Sequence, residues 1–298
     1  MEQVKNSLLK KRKTSIFFVL IFTFLCILSF SLMILFSWSL MTSMKNFKDW
    51  TFNKLWFPVD GSFANFENAY QYFYVEVLID KEFRYFYMFD MFVNSLLYAG
   101  GCALANTLIP FITAYAVAKY KYRFGKVLYQ VVIVTMMIPI VGSLPSSIQM
   151  SKTLGIFDTF FGLWIMKANF LGMYFLVFYA NFKAIPYDYT EAAKIDGASD
   201  FCIMTKIICP MAMTTFFTVY LLYFFVYWND YQTPMIYLRS YPTVAYGMYR
   251  FQFSNINEIS FVPAKIAGTI LMSTPIIVVF LVFNKRLMKN ISIGGLKG

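Results

Sequence analysis

Long apolar runs separated by short polar segments dominate this chain. Uncharged stretches cover 15–44, 91–118, 127–151 and 207–229, and two more, 159–182 and 264–284, each carry one lysine, Lys167 and Lys265. A helix needs about 20 apolar residues to cross a bilayer core, and all six runs reach that length. None shows the alternation of lipid-facing and lumen-facing residues that a membrane barrel requires. The pattern predicts an all-α polytopic membrane protein with six transmembrane helices. The first run follows Lys10, Lys11, Arg12 and Lys13, but it is too long for a signal peptide and lacks a small-residue cleavage site near its end, so it reads as an uncleaved span. The chain then divides into 1–44 (tail and first span), an extracellular loop at 45–90, and a five-span core at 91–298. No internal repeat is visible.

Charge gives the orientation. With the N-terminus inside, the cytosolic segments are the N-terminal tail, 119–126, 183–206 and 285 onward. They hold sixteen of the 26 Lys and Arg and five of the 15 Asp and Glu, so the whole formal charge of +11 lies on that side. The positive-inside rule then places both termini in the cytosol. Hydrophobic residues at 59% against 14% charged agree with a membrane bundle. The pI of 9.3 follows from topology and calls for no nucleic acid.

Several chemistries are excluded. The chain has no histidine, and Cys202 and Cys209 have no base beside them in sequence to activate a thiolate. No His, Cys, Asp or Glu cluster has metal-ligand spacing. Gly125-Lys126 is followed by valine and lacks the upstream glycine of a phosphate-binding loop. No Cys lies in an extracellular segment, so no disulfide framework is implied. The spans lack buried Asp or Glu that would form an ion relay, which argues against the alternative of a stand-alone ion-coupled secondary transporter. Lys167, the one charge well inside a run, is expected to snorkel toward the outer surface. The expected product is a pore-like bundle that binds no cofactor, has no catalytic or metal site, and needs a partner to drive it.

A polar island between the fourth and fifth runs offers the contact for that partner: Glu191-Ala192-Ala193-Lys194-Ile195-Asp196-Gly197-Ala198, closing at Ile207 and Pro210. Pro186 ends the fourth run. Asp188, three residues before Glu191, predicts an N-cap with its capping-box glutamate. Ala193 and Gly197 are four apart, as are Ala192 and Asp196, so one side of a short helix over 188–203 is nearly bare. A bare side lets another protein approach the backbone. A plain connecting loop built of good helix formers fits the same residues equally well.

The spacing Glu-Ala-Ala-x3-Gly-x9-Ile-x-Leu-Pro resembles the signature loop of permease subunits in binding-protein-dependent ABC importers. Glu191, Ala192, Ala193, Gly197, Ile207 and Pro210 occupy its positions, and Cys209 stands where the family usually has leucine. In the order of its fragments the chain is similar to the smaller permease of maltose-type carbohydrate systems. These are Asn94-Ser95, Ala114-Tyr115-Ala116, the stretch from Leu154 to Thr159, the run from Ala193 to Ser199, Trp228-Asn229-Asp230, and the tail Gly295-Leu296-Lys297-Gly298.

The resemblance implies an ABC importer permease fold in a bacterial plasma membrane. Its implied partners are a second, larger permease, two cytosolic ATPase subunits that use ATP and Mg, an extracytoplasmic solute-binding protein, and an oligosaccharide or related glycoside as cargo. Glu191, Ala192, Ala193, Asp196 and Gly197 would form the coupling helix seated on an ATPase subunit, and the glycine-rich tail would reach between the ATPase subunits.

Residues for the cargo path are less sharply marked. Trp228, Asn229 and Tyr231 combine ring faces with an amide at the outer end of the fifth run, and Ser146 and Gln149 follow Pro139 and Pro145 in what reads as a broken helix end. Pockets for hydroxylated ligands combine such elements. Interfacial anchoring by Trp228, helix termination at Asn229, and an ordinary turn at 143–149 stand beside that reading. Gly100, Gly101 and Gly172 read as packing positions, and Pro110 and Pro275 as possible kinks.

Overall fold

A computed structural model describes residues 16–79, 81–120, 122–138 and 142–291. The basic N-terminal residues, Pro139 and the glycine-rich tail lie outside the described residues. Contacts divide the chain into two compact units, 16–69 with 255–270 and 70–254 with 271–291.

In the first unit, α1 (Ile16–Ser43) is apolar on every side and exposed along nearly its whole length. It becomes buried only at Thr42 and Ser43. There the side-chain amide of Asn65, on α3 (Ala64–Tyr72), donates to the carbonyls of Ser43 and Lys45 at 2.8 and 2.7 Å. Lys45 is itself fully buried and donates to the Asn53 carbonyl at 2.6 Å, just past α2 (Phe47–Phe52). Backbone carbonyls thus satisfy the lysine at the helix exit.

The second unit begins with an antiparallel hairpin, β1 (Tyr74–Ile79) and β2 (Glu82–Tyr87), in register Tyr74 to Tyr87 through Ile79 to Glu82. The all-α expectation missed it. The segment has β-branched and aromatic residues with Val75 and Val77 turned in and Glu76 and Tyr74 out, a two-residue period hidden by the acidic content of the loop. Tyr85 donates to Glu76 at 3.3 Å, and that carboxylate holds the phenol above its usual range.

The central element is α4 (Met88–Lys119), which packs on α7 (Phe160–Lys167), α8 (Met173–Ala184) and α11 (Cys209–Trp228). Two aromatic cores line it. Toward its C-terminal end Phe111 meets Phe178, Phe182 and Phe216 at 5.2, 4.9 and 5.0 Å between ring centroids. Toward its N-terminal end Tyr98, Cys102 and Ala103 pack with Phe224, Tyr227 and Trp228. Gly101 has a steric reason, since a Cβ there would fall inside the Trp164 indole, so the packing expectation for this glycine agrees with its surroundings.

Among the described residues, four helical stretches are long and apolar enough to cross a membrane: α1, α4, the stretch Asp200–Trp228, and Val262–Val282 of α14 (Val262–Ile291). The third and fourth runs do not form single spanning helices. The third folds as α5 (Arg123–Met137) and α6 (Leu144–Thr153), separated by a break in which Gly142 has φ +78. The fourth is cut between α7 and α8, where the Asn169 side chain accepts the Leu171 N–H and Gly172 takes φ +152. Hydropathy counts apolar residues and is blind to a backbone reversal set by one glycine. The expected boundary at 90/91 falls within α4.

Candidate functional site

The polar island forms α9 (Asp188–Ile195) and a tight turn into the next helix. Asp188 is not its N-cap. Tyr187 holds that position with no side-chain capping bond, and its carbonyl accepts the N–H groups of Thr190 and Glu191 at 2.8 and 3.1 Å. The expected Asp188–Glu191 capping box is therefore absent: the helix starts one residue earlier than the motif implied, leaving both carboxylates in the first turn, where the helix dipole favours them.

The C-terminal end is closely defined. Ala198 N–H donates to the Ala193 carbonyl at 2.9 Å, Gly197 N–H to that of Lys194 at 3.0 Å, and Gly197 has φ +79. This is a Schellman closure, whose left-handed position glycine fills without steric cost. Ser199 Oγ then accepts the Cys202 N–H at 3.3 Å and starts α10 (Asp200–Ile203). A π-helical turn, Met204–Ile208, joins it to α11, with Cys209 N–H reaching the Met204 carbonyl. Lys194 and Asp200 bridge the turn at 3.2 Å, and this hydrogen bond holds the Lys194 ammonium above its usual range.

The two faces of α9 differ from expectation. Ala193, expected on the outward bare side, is 6% exposed and packs in one core with Ile203, Ile208, Phe182 and Ala212. Its small size lets α9 lie against the bundle. Glu191, Ala192, Asp196 and Gly197 are exposed. With them stand two large apolar side chains absent from the sequence reading, Ile195 at 86% and Phe201 at 72% exposure. A signal for them existed, since Ile195 and Phe201 are the bulky apolar residues on either side of the glycine turn. Behind the loop, buried Lys119 at the end of α4 donates to the Ile185 carbonyl at 2.7 Å and ties the end of α8 to the central helix.

The proposed path residues separate. Trp228 is 4% exposed, packed edge-on to Phe92 at 5.6 Å and against Phe224. Asn229 is exposed and donates to the Phe225 carbonyl at 2.8 Å, one turn back on its own helix. Tyr231, just before α12 (Gln232–Tyr237), stacks on Tyr249 of α13 (Val244–Gln252) with centroids 4.7 Å apart and planes 9° apart. Ser146 donates to the Ser143 carbonyl at 2.9 Å, and Gln149 is exposed on α6. Among the described residues no hydrogen bond or ring contact joins Ser146 or Gln149 to the other three.

Other fragments of the sequence converge instead. The Asn94 amide donates to the Pro242 carbonyl at 3.0 Å, and Ser95 Oγ accepts the Val244 N–H at 2.7 Å. Asp158 receives the Ser240 N–H and hydroxyl at 3.0 and 2.6 Å. Motif pieces 94–95 and 154–159 thus clasp one segment, 237–244. Nearby, the Asn106 amide donates to the Tyr227 hydroxyl at 2.8 Å. Lys167 does not snorkel away. Because its run breaks after it, its ammonium turns inward and stands 5.4 Å from the Tyr227 ring centroid.

Against known proteins, residues 106–293 match the family described as binding-protein-dependent transport system inner membrane component. The chain belongs to this family. It is accordingly a multi-pass component of the plasma membrane and a transport component rather than an enzyme. Among the permease's relatives is the trehalose transport system permease protein SugB of Mycobacterium tuberculosis, 28% identical over 217 residues, covering 70% of this chain and 78% of that protein. Another is the melibiose/raffinose/stachyose import permease protein MelC of Bacillus subtilis, 26% identical over 264 residues, 87% and 89% of the two chains. In fold, the permease matches a chain from the crystal structure of a bacterial ABC transporter involved in the import of the acidic polysaccharide alginate. The TM-score is 0.71 at 23% identity, over 92% of this chain and 98% of that one. The architecture is that of an ABC importer permease.

Proposed function

We propose that this permease is the membrane half of an ATP-driven importer that moves an oligosaccharide or related glycoside. A solute-binding protein delivers the cargo outside, a second permease completes the pore, and two ATPase subunits using ATP and Mg drive it from the cytosol. Both termini and the loop of α9 face the cytosol, in keeping with the excess of Lys and Arg there. The observation that carries this reading is the exposed face of α9. A short helix held to the bundle through Ala193, the Schellman turn and Lys194–Asp200 presents Ala192, Ile195 and nearby Phe201 outward. Bulky apolar groups in water at the end of a rigid lever suit a groove on another protein. Movement of that groove as the ATPase pair closes would pass through the π turn into α11 and rock the bundle. The carbohydrate cargo rests on the names of the relatives, which are permeases for trehalose and for melibiose, raffinose and stachyose.

The test is ATP hydrolysis by the reconstituted assembly with and without binding protein and saccharide. Hydrolysis that rises with both present, accompanied by saccharide uptake, is the expected result. Uptake driven by an ion gradient with no ATPase subunit present would overturn the reading.

A further inference from the structure

Lys167 is half-buried, and where the buried Lys45 and Lys119 each donate to a backbone carbonyl, Lys167 faces a ring. Its ammonium lies over the Tyr227 ring at 5.4 Å, and among the described residues no carboxylate pairs with it. The nearby Asp230 is engaged elsewhere: one oxygen accepts the Tyr98 hydroxyl at 2.8 Å and the other the Thr233 N–H at 3.0 Å. The site is also deep. Tyr227 is 6% exposed, and its hydroxyl accepts from Asn106, near the middle of the 32-residue α4. An ionisable group at such a place, without a counter-ion, marks a route for charged cargo more often than a structural need. A ring face attracts an ammonium but satisfies none of its three N–H donors.

Aromatic rings continue from this point. Tyr227 stacks on Tyr223 with centroids 6.0 Å apart and planes 17° apart, and Tyr223 meets Tyr174 edge-on at 4.8 Å. Tyr223 and Tyr174 are only partly buried. Lys167 therefore heads a short ladder of phenol rings drawn from α8 and α11, with the Asn106 amide beside it. Ring faces hold a sugar by apolar contact without fixing its position along the ladder, whereas a cation picks out a negative group.

We propose that Lys167 and the tyrosine ladder form a cargo site for a carboxylate-bearing saccharide, with the uronate group paired to Lys167 and sugar rings against the partly buried Tyr223 and Tyr174. This rests on the importer reading above and narrows its cargo to acidic sugars. Asn106 positions the Tyr227 ring beneath the ammonium.

The experiment uses the complete transporter with its binding protein in proteoliposomes, offered trigalacturonate or maltotriose. Trigalacturonate should stimulate ATP hydrolysis and be taken up in preference to maltotriose. Lys167→Gln should lower trigalacturonate uptake by about tenfold, the worth of one charge-assisted hydrogen bond, while Lys167→Arg keeps most of it. Assembly of each variant is checked by gel filtration. Maltotriose transport without trigalacturonate transport would overturn the acidic-cargo proposal and leave the importer reading standing. Trigalacturonate uptake by Lys167→Gln equal to the parent would overturn the site. Failure of both sugars to stimulate hydrolysis would remove this proposal together with the saccharide reading.

Discussion

The loop of α9 and the interior around Tyr227 are inverted in opposite senses. The loop is polar by composition, yet it holds Ile195 and Phe201 out at 86% and 72% exposure. The interior is apolar by composition, yet it holds a lysine over a buried ring, with no carboxylate paired to it among the described residues. In each place the side chains suit a surrounding that the isolated chain does not provide. The loop is suited to an apolar groove, the interior to a polar, negatively charged guest. Their construction differs accordingly. The loop is fixed by backbone hydrogen bonds and a glycine turn, as a lever must be. Among the described residues the interior gives Lys167 a ring face and no carboxylate, as the proposed transient binding point requires.

Replacing Ile195 with Asp should have the largest effect. A carboxylate forced into an apolar groove without a counter-ion costs about 3 kcal/mol or more, enough to lower ATPase association about a hundredfold. Co-purification of the ATPase with the variant measures it. Since Ile195 touches no core, the bundle should keep its thermal midpoint. An Ile195→Asp protein that retains the ATPase in the parent ratio would break the comparison on the loop side.

Trp228→Leu comes next and addresses the interior. The ring fills space between Phe92 and Phe224, so truncation should cost about 2–3 kcal/mol through lost burial and a residual cavity. The expected outcome is lower membrane abundance and a lower melting temperature, with uptake per inserted molecule unchanged. Reduced uptake at full abundance would return Trp228 to the cargo path.

These two substitutions also show how far the sequence could be read. The existence and location of the turn were legible, because Gly197 sits at the one position of a Schellman closure that requires a left-handed backbone. The outward face was not. Two small residues four apart indicate close approach, but the approaching surface can belong to the same chain, and at Ala193 it does. Trp228 and Asn229 carry the chemistry of a sugar site, yet burial and a local hydrogen bond occupy them. Lys167 was visible as a charge in a run, but the break after it, which turns it inward, depends on the conformation of Gly172 rather than on hydropathy. The hairpin at 74–87 was obscured because exposed edges of a two-stranded ribbon carry the same acids as a loop.

Gly197→Val should have the smallest effect of the three. A β-branched residue at φ +79 costs about 1–2 kcal/mol in the left-handed region, so the turn loosens while the bundle stays folded. Faster amide exchange at positions 197 and 198 and weaker coupling of ATP hydrolysis to uptake are expected. Parent-like exchange and coupling would mean that the turn does not transmit motion.

The claim that α9 is a lever with its Ala192–Ile195 face toward an ATPase subunit is tested most directly by site-specific photo-crosslinking in the assembled transporter. A photoreactive side chain at position 195 should give an adduct with the ATPase subunit, and one at position 193 should give adducts within this chain. An ATPase adduct from position 193 and none from position 195 would contradict the account.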